Sequence, residues 1–205
     1  MKEIEYDGIT YLYFDGNFVE KDSYIIPTEN ILKEVTKKYY SQIDYSDYSD
    51  DKLRKFIKET KSNLAYDTAL QASLLYYERH KQHSREIRYI LPVITALYRK
   101  MQRPEEVIRI NKEAYDICGK SVFSVPLYTS IAAAYCDLEE YEKARQFCDI
   151  AYAEQGGGIG IKTELSLVYQ RIEKEMNVLD TLGRENTEIY KRCYRPNIGE
   201  KSNEK

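Results

Sequence analysis

Residues 128–152 read YTSIAAAYCDLEEYEKARQFCDIAY, and the spacing inside this stretch decides the fold. Tyr128, Ile131, Ala132 and Tyr135 fall three, four and seven apart, which sets them on one face of a helix. The polar turn Asp137-Leu138-Glu139-Glu140 follows. Ala144, Phe147, Cys148 and Ala151 then repeat the spacing on a second helix. Small Ala132 and Ala144 let two antiparallel backbones approach closely, so the stretch reads as a helical hairpin.

The same pattern lies upstream. Leu91, Ile94, Thr95 and Tyr98 match the first set, and Val107, Ile110, Asn111 and Ala114 match the second; 128 − 91 and 144 − 107 both give 37. A fixed period of this size, each unit a helical hairpin, is the mark of a solenoid whose units bury their faces by stacking.

With Tyr128, Ile131, Ala132, Tyr135, Ala144, Cys148 and Ala151 in place, the second hairpin resembles the tetratricopeptide repeat family, with bulky Cys148 at a usual aromatic position. The first hairpin departs from that pattern. Thr95 and Val107 stand where small residues are usual, Asn111 stands where an aromatic is expected, and Gly119 and Gly156 replace the closing proline. The resemblance covers about residues 88–176. It implies an all-α, tetratricopeptide-like helical-hairpin solenoid that binds a protein or peptide partner in a concave groove and carries no catalytic residues.

Matching positions, the resemblance places in that groove Tyr89, Pro92, Val93, Ala96, Arg99 and Lys100 from one repeat, and Thr129, Ser130, Ala133, Cys136 and Asp137 from the next. Pro92, Ala96, Thr129 and Ala133 occupy the key places of the Lys/Asn clamp that some members use on a C-terminal carboxylate. The clamp is therefore absent, and the implied occupant is an extended or helical peptide, the groove being edged by Arg99 and Lys100.

The chain as a whole divides into four segments. Residues 1–26 are expected to form a small β-hairpin flap. Ile9–Phe14 and Phe18-Val19 are β-rich runs about Asp15-Gly16-Asn17, and a further short strand is expected near Tyr24-Ile25-Ile26. Residues 27–83 hold N-terminal helices, one opening at Pro27-Thr28 with Thr28 as N-cap, another starting at Asp50 and carrying Leu53, Phe56, Ile57 and Leu64, and a third rich in alanine from Leu64 to about His80. The third suits the second helix of a degenerate upstream repeat, with no register fixed. Between the first two, residues 43–51 (IDYSDYSDD) read as an acidic loop.

Residues 84–178 contain the repeats and a capping helix with Leu165, Val168, Ile172 and Met176 on one face. Residues 179–205 read as a short helix and a disordered tail. Pro92 sits inside the first repeat's opening helix and is expected either in its first turn or at a kink. Arg103-Pro104-Glu105-Glu106 and Ser124-Val125-Pro126 are helix starts.

The chemistry-bearing residues are sparse. Two histidines, His80 and His83, lie among charged neighbours and are expected exposed. The four cysteines show no CxxC or metal-ligand spacing, so free core thiols are expected, with no metal and no cofactor. Gly156–Thr163 (GGGIGIKT) lacks the glycine before Lys-Thr that a phosphate loop requires, and reads as a chain reversal. With no nucleophile elbow or zinc helix motif, a non-enzyme is expected.

Composition agrees with a globular chain. It has 205 residues, 42 % hydrophobic and 32 % charged, with 21 tyrosines and no tryptophan. A net charge of −3 argues against wholesale coating of nucleic acid. Residues 78–103, however, carry seven Lys or Arg against two Glu, a basic segment that a nucleic-acid-associated accessory role would use, while residues 137–154 are acidic. No apolar run reaches about 18 residues and MKEIEYDG lacks a signal-peptide core, so a cytoplasmic protein with no membrane association is expected.

Overall fold

The computed structural model describes residues 2–14, 17–154 and 163–180, and divides the chain into two compact units, Met1–His80 and Lys81–Lys205. The described residues are mostly helical, with eight α-helices and one small antiparallel sheet.

In the first unit, β1 (Glu3–Tyr6), β2 (Ile9–Phe14) and β3 (Asn17–Glu20) form a three-stranded sheet in that order. The flap is thus larger than the single hairpin expected. Its first turn is Asp7-Gly8, both at positive φ (52° and 76°), closing the Tyr6–Ile9 pair as a two-residue hairpin loop requires. The expected turn at Asp15-Gly16 lies outside the described residues. The strand expected near Tyr24-Ile25-Ile26 does not form. Tyr24 takes φ 56°, the Glu20 amide donates to the Ile25 carbonyl at 3.0 Å, and all three side chains are exposed.

The sheet lies against the first helix. Tyr13 and Phe18 share one of its faces and meet Tyr39 of α1 (Glu29–Ser41), Tyr13 stacked at 5.3 Å and Phe18 edge-on at 5.2 Å. Such ring pairs add to the area they bury. Thr28 stands at the N-cap of α1 as expected but makes no side-chain capping bond. The acidic loop ends where Asp50 and Asp51 enter the first turn of α2 (Asp50–Ser62), favoured there by the helix dipole. α2 packs on α3 (Tyr66–Arg79). Leu64 does not extend α2's stripe: it takes φ 60° in the turn and is exposed.

In the second unit, α4 (Ser84–Lys100) packs on α5 (Pro104–Cys118), and α6 (Val125–Asp137) on α7 (Tyr141–Glu154). α6 also packs against α4 and α5, and α8 (Thr163–Asp180) closes over α6 and α7. Ala132 and Ala144 are fully buried where α6 meets α7, beside Tyr128, Ala151, Leu165 and Ile172. Pro92 lies deep inside α4 and not in its first turn, so the bond its amide would make to the Arg88 carbonyl is missing. Residues 155–162, which include most of the glycine-rich run, and residues 181–205, which hold Cys193 and most of the expected short helix and tail, lie outside the described residues.

One turn occurs three times. Leu64 after α2, Gln102 after α4 and Glu139 after α6 are left-handed (φ 60°, 56° and 61°), spaced 38 and 37 residues apart. In each, the following amide donates to a carbonyl five residues back at 2.9 Å: Ala65 to Thr60, Arg103 to Tyr98, Glu140 to Tyr135. The left-handed residue's own amide donates three back, to Lys61, Arg99 and Cys136. This pair of bonds is the Schellman closure of a helix. The next helix starts two residues after the left-handed one each time.

Candidate functional site

Along α6 each residue advances about 100°. Tyr128, Ile131 and Tyr135 therefore share one side, while Pro126, Thr129 and Ala133 share the other. The second side faces a cleft of about 440 Å³ between α4, α6 and α8. Four of the residues assigned to a groove meet there: Arg99 from the end of α4, and Thr129, Ser130 and Ala133 from α6. The Thr129 hydroxyl donates back to the Val125 carbonyl at 2.9 Å, so its methyl group is the part left for contacts. Thr129 and Ala133 are buried, and form the floor.

The remaining assigned residues part company with that cleft. Tyr89 and Lys100 are exposed elsewhere on α4, and Pro92, Val93 and Ala96 are half-buried outside the cleft lining. Cys136 is 1 % exposed and is not among the residues lining the cleft; burial pushes its thiol up to about 11. The reason is packing: Cys136 falls four residues after buried Ala132, on the side of α6 that α8 covers.

Asp137 stands at the mouth and does not line the cleft. It joins the two arginines that do: its Oδ2 lies 4.0 Å from Arg99 Nε, and its Oδ1 accepts from Arg171 Nη1 on α8. Electrostatically the cleft is a short apolar trough with a bridged cationic edge, and Glu164 lies on its α8 side.

α8 supplies what the repeat pattern did not foresee. Glu164, Leu167, Val168 and Arg171 form one wall. Leu167 is 57 % exposed although it is aliphatic. An apolar residue off the Leu165–Val168–Ile172 stripe was the available signal, because a helix serving only as a lid has no use for it there.

Four of the seven cations in the basic segment lie beside carboxylates. Arg79 lies 3.7 Å from Asp50, Lys81 2.6 Å from Glu113, and Arg103 3.6 Å from Glu106, in addition to the Arg99–Asp137 pair. His83 is exposed, but His80 departs from expectation: its side chain is 19 % exposed, packs on the Tyr76 ring at 4.6 Å and places Nε2 2.8 Å from Asp50 Oδ2. Among the described residues no three His, Cys, Asp or Glu side chains are grouped to hold a metal ion, and no helix is long and apolar enough to cross a membrane. Among the described residues, Cys118, Cys136 and Cys148 form no disulfide. Compared with protein families, with curated proteins and with solved structures, the chain finds no match.

Proposed function

We propose that this chain is a non-catalytic interaction module on the tetratricopeptide plan, in which the cleft between α4, α6 and α8 grips a short segment of a partner protein. The observation that carries the reading is the meeting of Arg99 from one helix with Thr129, Ser130 and Ala133 from another, 30 or more residues further along the sequence, in one trough. The thrice-repeated Schellman turn supports the repeat plan, extended upstream to α2–α3. The trough suits a peptide with an aliphatic residue to lie against Ala133 and Leu167 and a neighbouring carboxylate to meet Arg99 and Arg171. Apolar anchors with a charged rim are how such grooves gain affinity and register.

The test is selection of a displayed random peptide library on the whole chain, with Leu167→Glu and Ser130→Arg as counter-screens. Leu167 is 57 % exposed and Ser130 is half-buried at the cleft surface, and circular dichroism checks that both variants keep their helices. Enriched peptides pairing an aliphatic with an acidic residue, weakened about tenfold by either variant, are the expected result. Peptides that bind both variants as well as the parent would place recognition elsewhere.

A further inference from the structure

On the other side of α6, Tyr128, Ile131 and Tyr135 form the floor of a second cleft, about 490 Å³, whose walls are α5 and α7. Its interior is aromatic. Phe147 stacks on Tyr135 at 5.4 Å, Phe123 lies 5.2 Å from Tyr128, and Tyr115 meets Phe123 edge-on at 5.8 Å. Tyr115 is half exposed, which leaves ring surface free at the mouth, and Ile150 is 38 % exposed opposite it. A volume of this size with apolar walls is that of a site for a small organic molecule.

Besides the tyrosine hydroxyls, three polar side chains interrupt the apolar lining, and no carboxylate is among them. Lys120 is taken up by Glu154 at 2.6 Å. Lys112 forms no ion pair among the described residues and stands exposed at the edge. The third is Asn111, 3 % exposed. Its Nδ2 donates to the Val107 carbonyl at 2.7 Å and lies 3.1 Å from Thr95 Oγ1. A carbonyl only accepts, so this bond fixes which way round the amide sits. Oδ1 is then left buried without a donor. An acceptor in that condition costs about 1–3 kcal/mol. Oδ1 has almost no exposed surface, so a ligand N–H meets it only where the lining side chains move aside.

We propose that the α5–α7 cleft binds a small planar aromatic acid with a ring N–H: the ring lies between Tyr115 and Phe147, the N–H donates to Asn111 Oδ1, and the carboxylate meets Lys112. This site shares no lining residue with the peptide trough, and the two stand or fall separately.

The test titrates the whole chain with indole-3-propionate by calorimetry and by ligand-observed NMR. 1-Methylindole-3-propionate, which lacks the N–H, and indole-3-propionamide, which lacks the charge, are the matched comparisons. The expected outcome is sub-millimolar binding of the acid, about tenfold weaker with the N-methyl compound and several-fold weaker with the amide. Binding should be lost in Ile150→Glu, reduced in Lys112→Ala, and unchanged in Leu167→Glu. Because Ile150 and Lys112 are exposed, both variants keep the fold, which circular dichroism checks. No binding at millimolar concentration, equal affinity for the acid and its N-methyl analogue, or unchanged affinity in Ile150→Glu would each overturn the proposal. Binding of acetyl-Trp-Glu-amide at least tenfold tighter than the free acid would overturn it too, in favour of a partner's tryptophan side chain.

Discussion

The amide of Arg103 donates to the carbonyl of Tyr98 at 2.9 Å, five residues back, and Gln102 between them is held at φ 56°. Gln102, like its counterparts Leu64 and Glu139, is not the glycine that usually fills this position. A side chain in the left-handed region costs about 1–2 kcal/mol, a cost glycine avoids.

Replacing the exposed Gln102 with glycine should therefore raise stability by about 1 kcal/mol, less than the full steric cost because glycine loses more backbone entropy on folding. A β-branched Gln102→Val should lower it. Urea midpoints of the two variants, moving in opposite directions about the parent, are the readout; a Gln102→Gly chain no more stable than the parent would mean that the turn is not strained.

That turn also bears on what the sequence could disclose. The α6–α7 hairpin is legible because buried Tyr128, Ile131, Ala132, Ala144, Cys148 and Ala151 keep helical spacing without interruption. The upstream helices α2 and α3 blur the pattern, since Leu64 looks like core by type and spacing. In fact it is the exposed left-handed residue of the turn, 38 residues before Gln102 in a turn of the same kind. Thr95 and Asn111 read as two separate departures from the family pattern. They are one: the Asn111 amide lies 3.1 Å from the Thr95 hydroxyl, across 16 residues of chain. A polar pair that compensates across a hairpin is invisible to a position-by-position comparison. The first strand escaped notice because Glu3-Ile4-Glu5-Tyr6 offers few β-branched residues, and the Asp7-Gly8 turn beside it is as good a hairpin signal as the Asp15-Gly16 one. The cleft's α8 wall could not be read from the 37-residue spacing, because that spacing matches no residues of α8.

Arg145 of α7 donates to Glu173 of α8 at 2.6 Å, with the two side chains only 17 % and 10 % exposed. A pair so far from water is costly to halve, because the remaining charge stays buried alone. Glu173→Leu or Arg145→Leu should each destabilise by about 3 kcal/mol, at the low end for buried pairs given the residual exposure. The double Leu variant should recover much of the loss. Equal and additive losses in a double-mutant cycle would show the pair to be unimportant to how α8 seats.

Burial pushes the Cys136 thiol up to about 11, above the value of 9.0 it has when free. Burial, and then the hydrogen bond to Glu59 at 2.9 Å, raises the Tyr40 hydroxyl above its ordinary value as well. In both cases the unfolded chain gives up its proton first. The folded state's stability is then fully present below about pH 9 and falls as pH rises toward 11, with Tyr40 adding to the loss above pH 10. Cys136 alone should shift the folding equilibrium by roughly tenfold per pH unit across its window. Urea unfolding at pH 8, 9 and 10 should show that decline, and Cys136→Ala should flatten it between 9 and 10. An unaltered slope in the variant would reject the thiol as its source.

Asp137 holds the cationic edge of the proposed peptide trough in check. It draws Arg99 and Arg171 together from α4 and α8, yet the two arginines are 37 % and 43 % exposed, so the bridge adds little to stability, about 1 kcal/mol at most. Its effect should fall on recognition, since the carboxylate competes with any acid a peptide would bring. Asp137→Asn keeps the shape and removes the charge. Acidic peptides recovered by selection should bind this variant several-fold more tightly at low salt, through faster association, and lose that gain by about 0.5 M salt as the arginines are screened. Arg171→Gln should weaken the same peptides and reduce their salt dependence. If Asp137→Asn leaves affinity and salt dependence where they were, the peptide's carboxylate does not meet Arg99 and Arg171, and the trough's specificity rests on Ala133 and Leu167 alone.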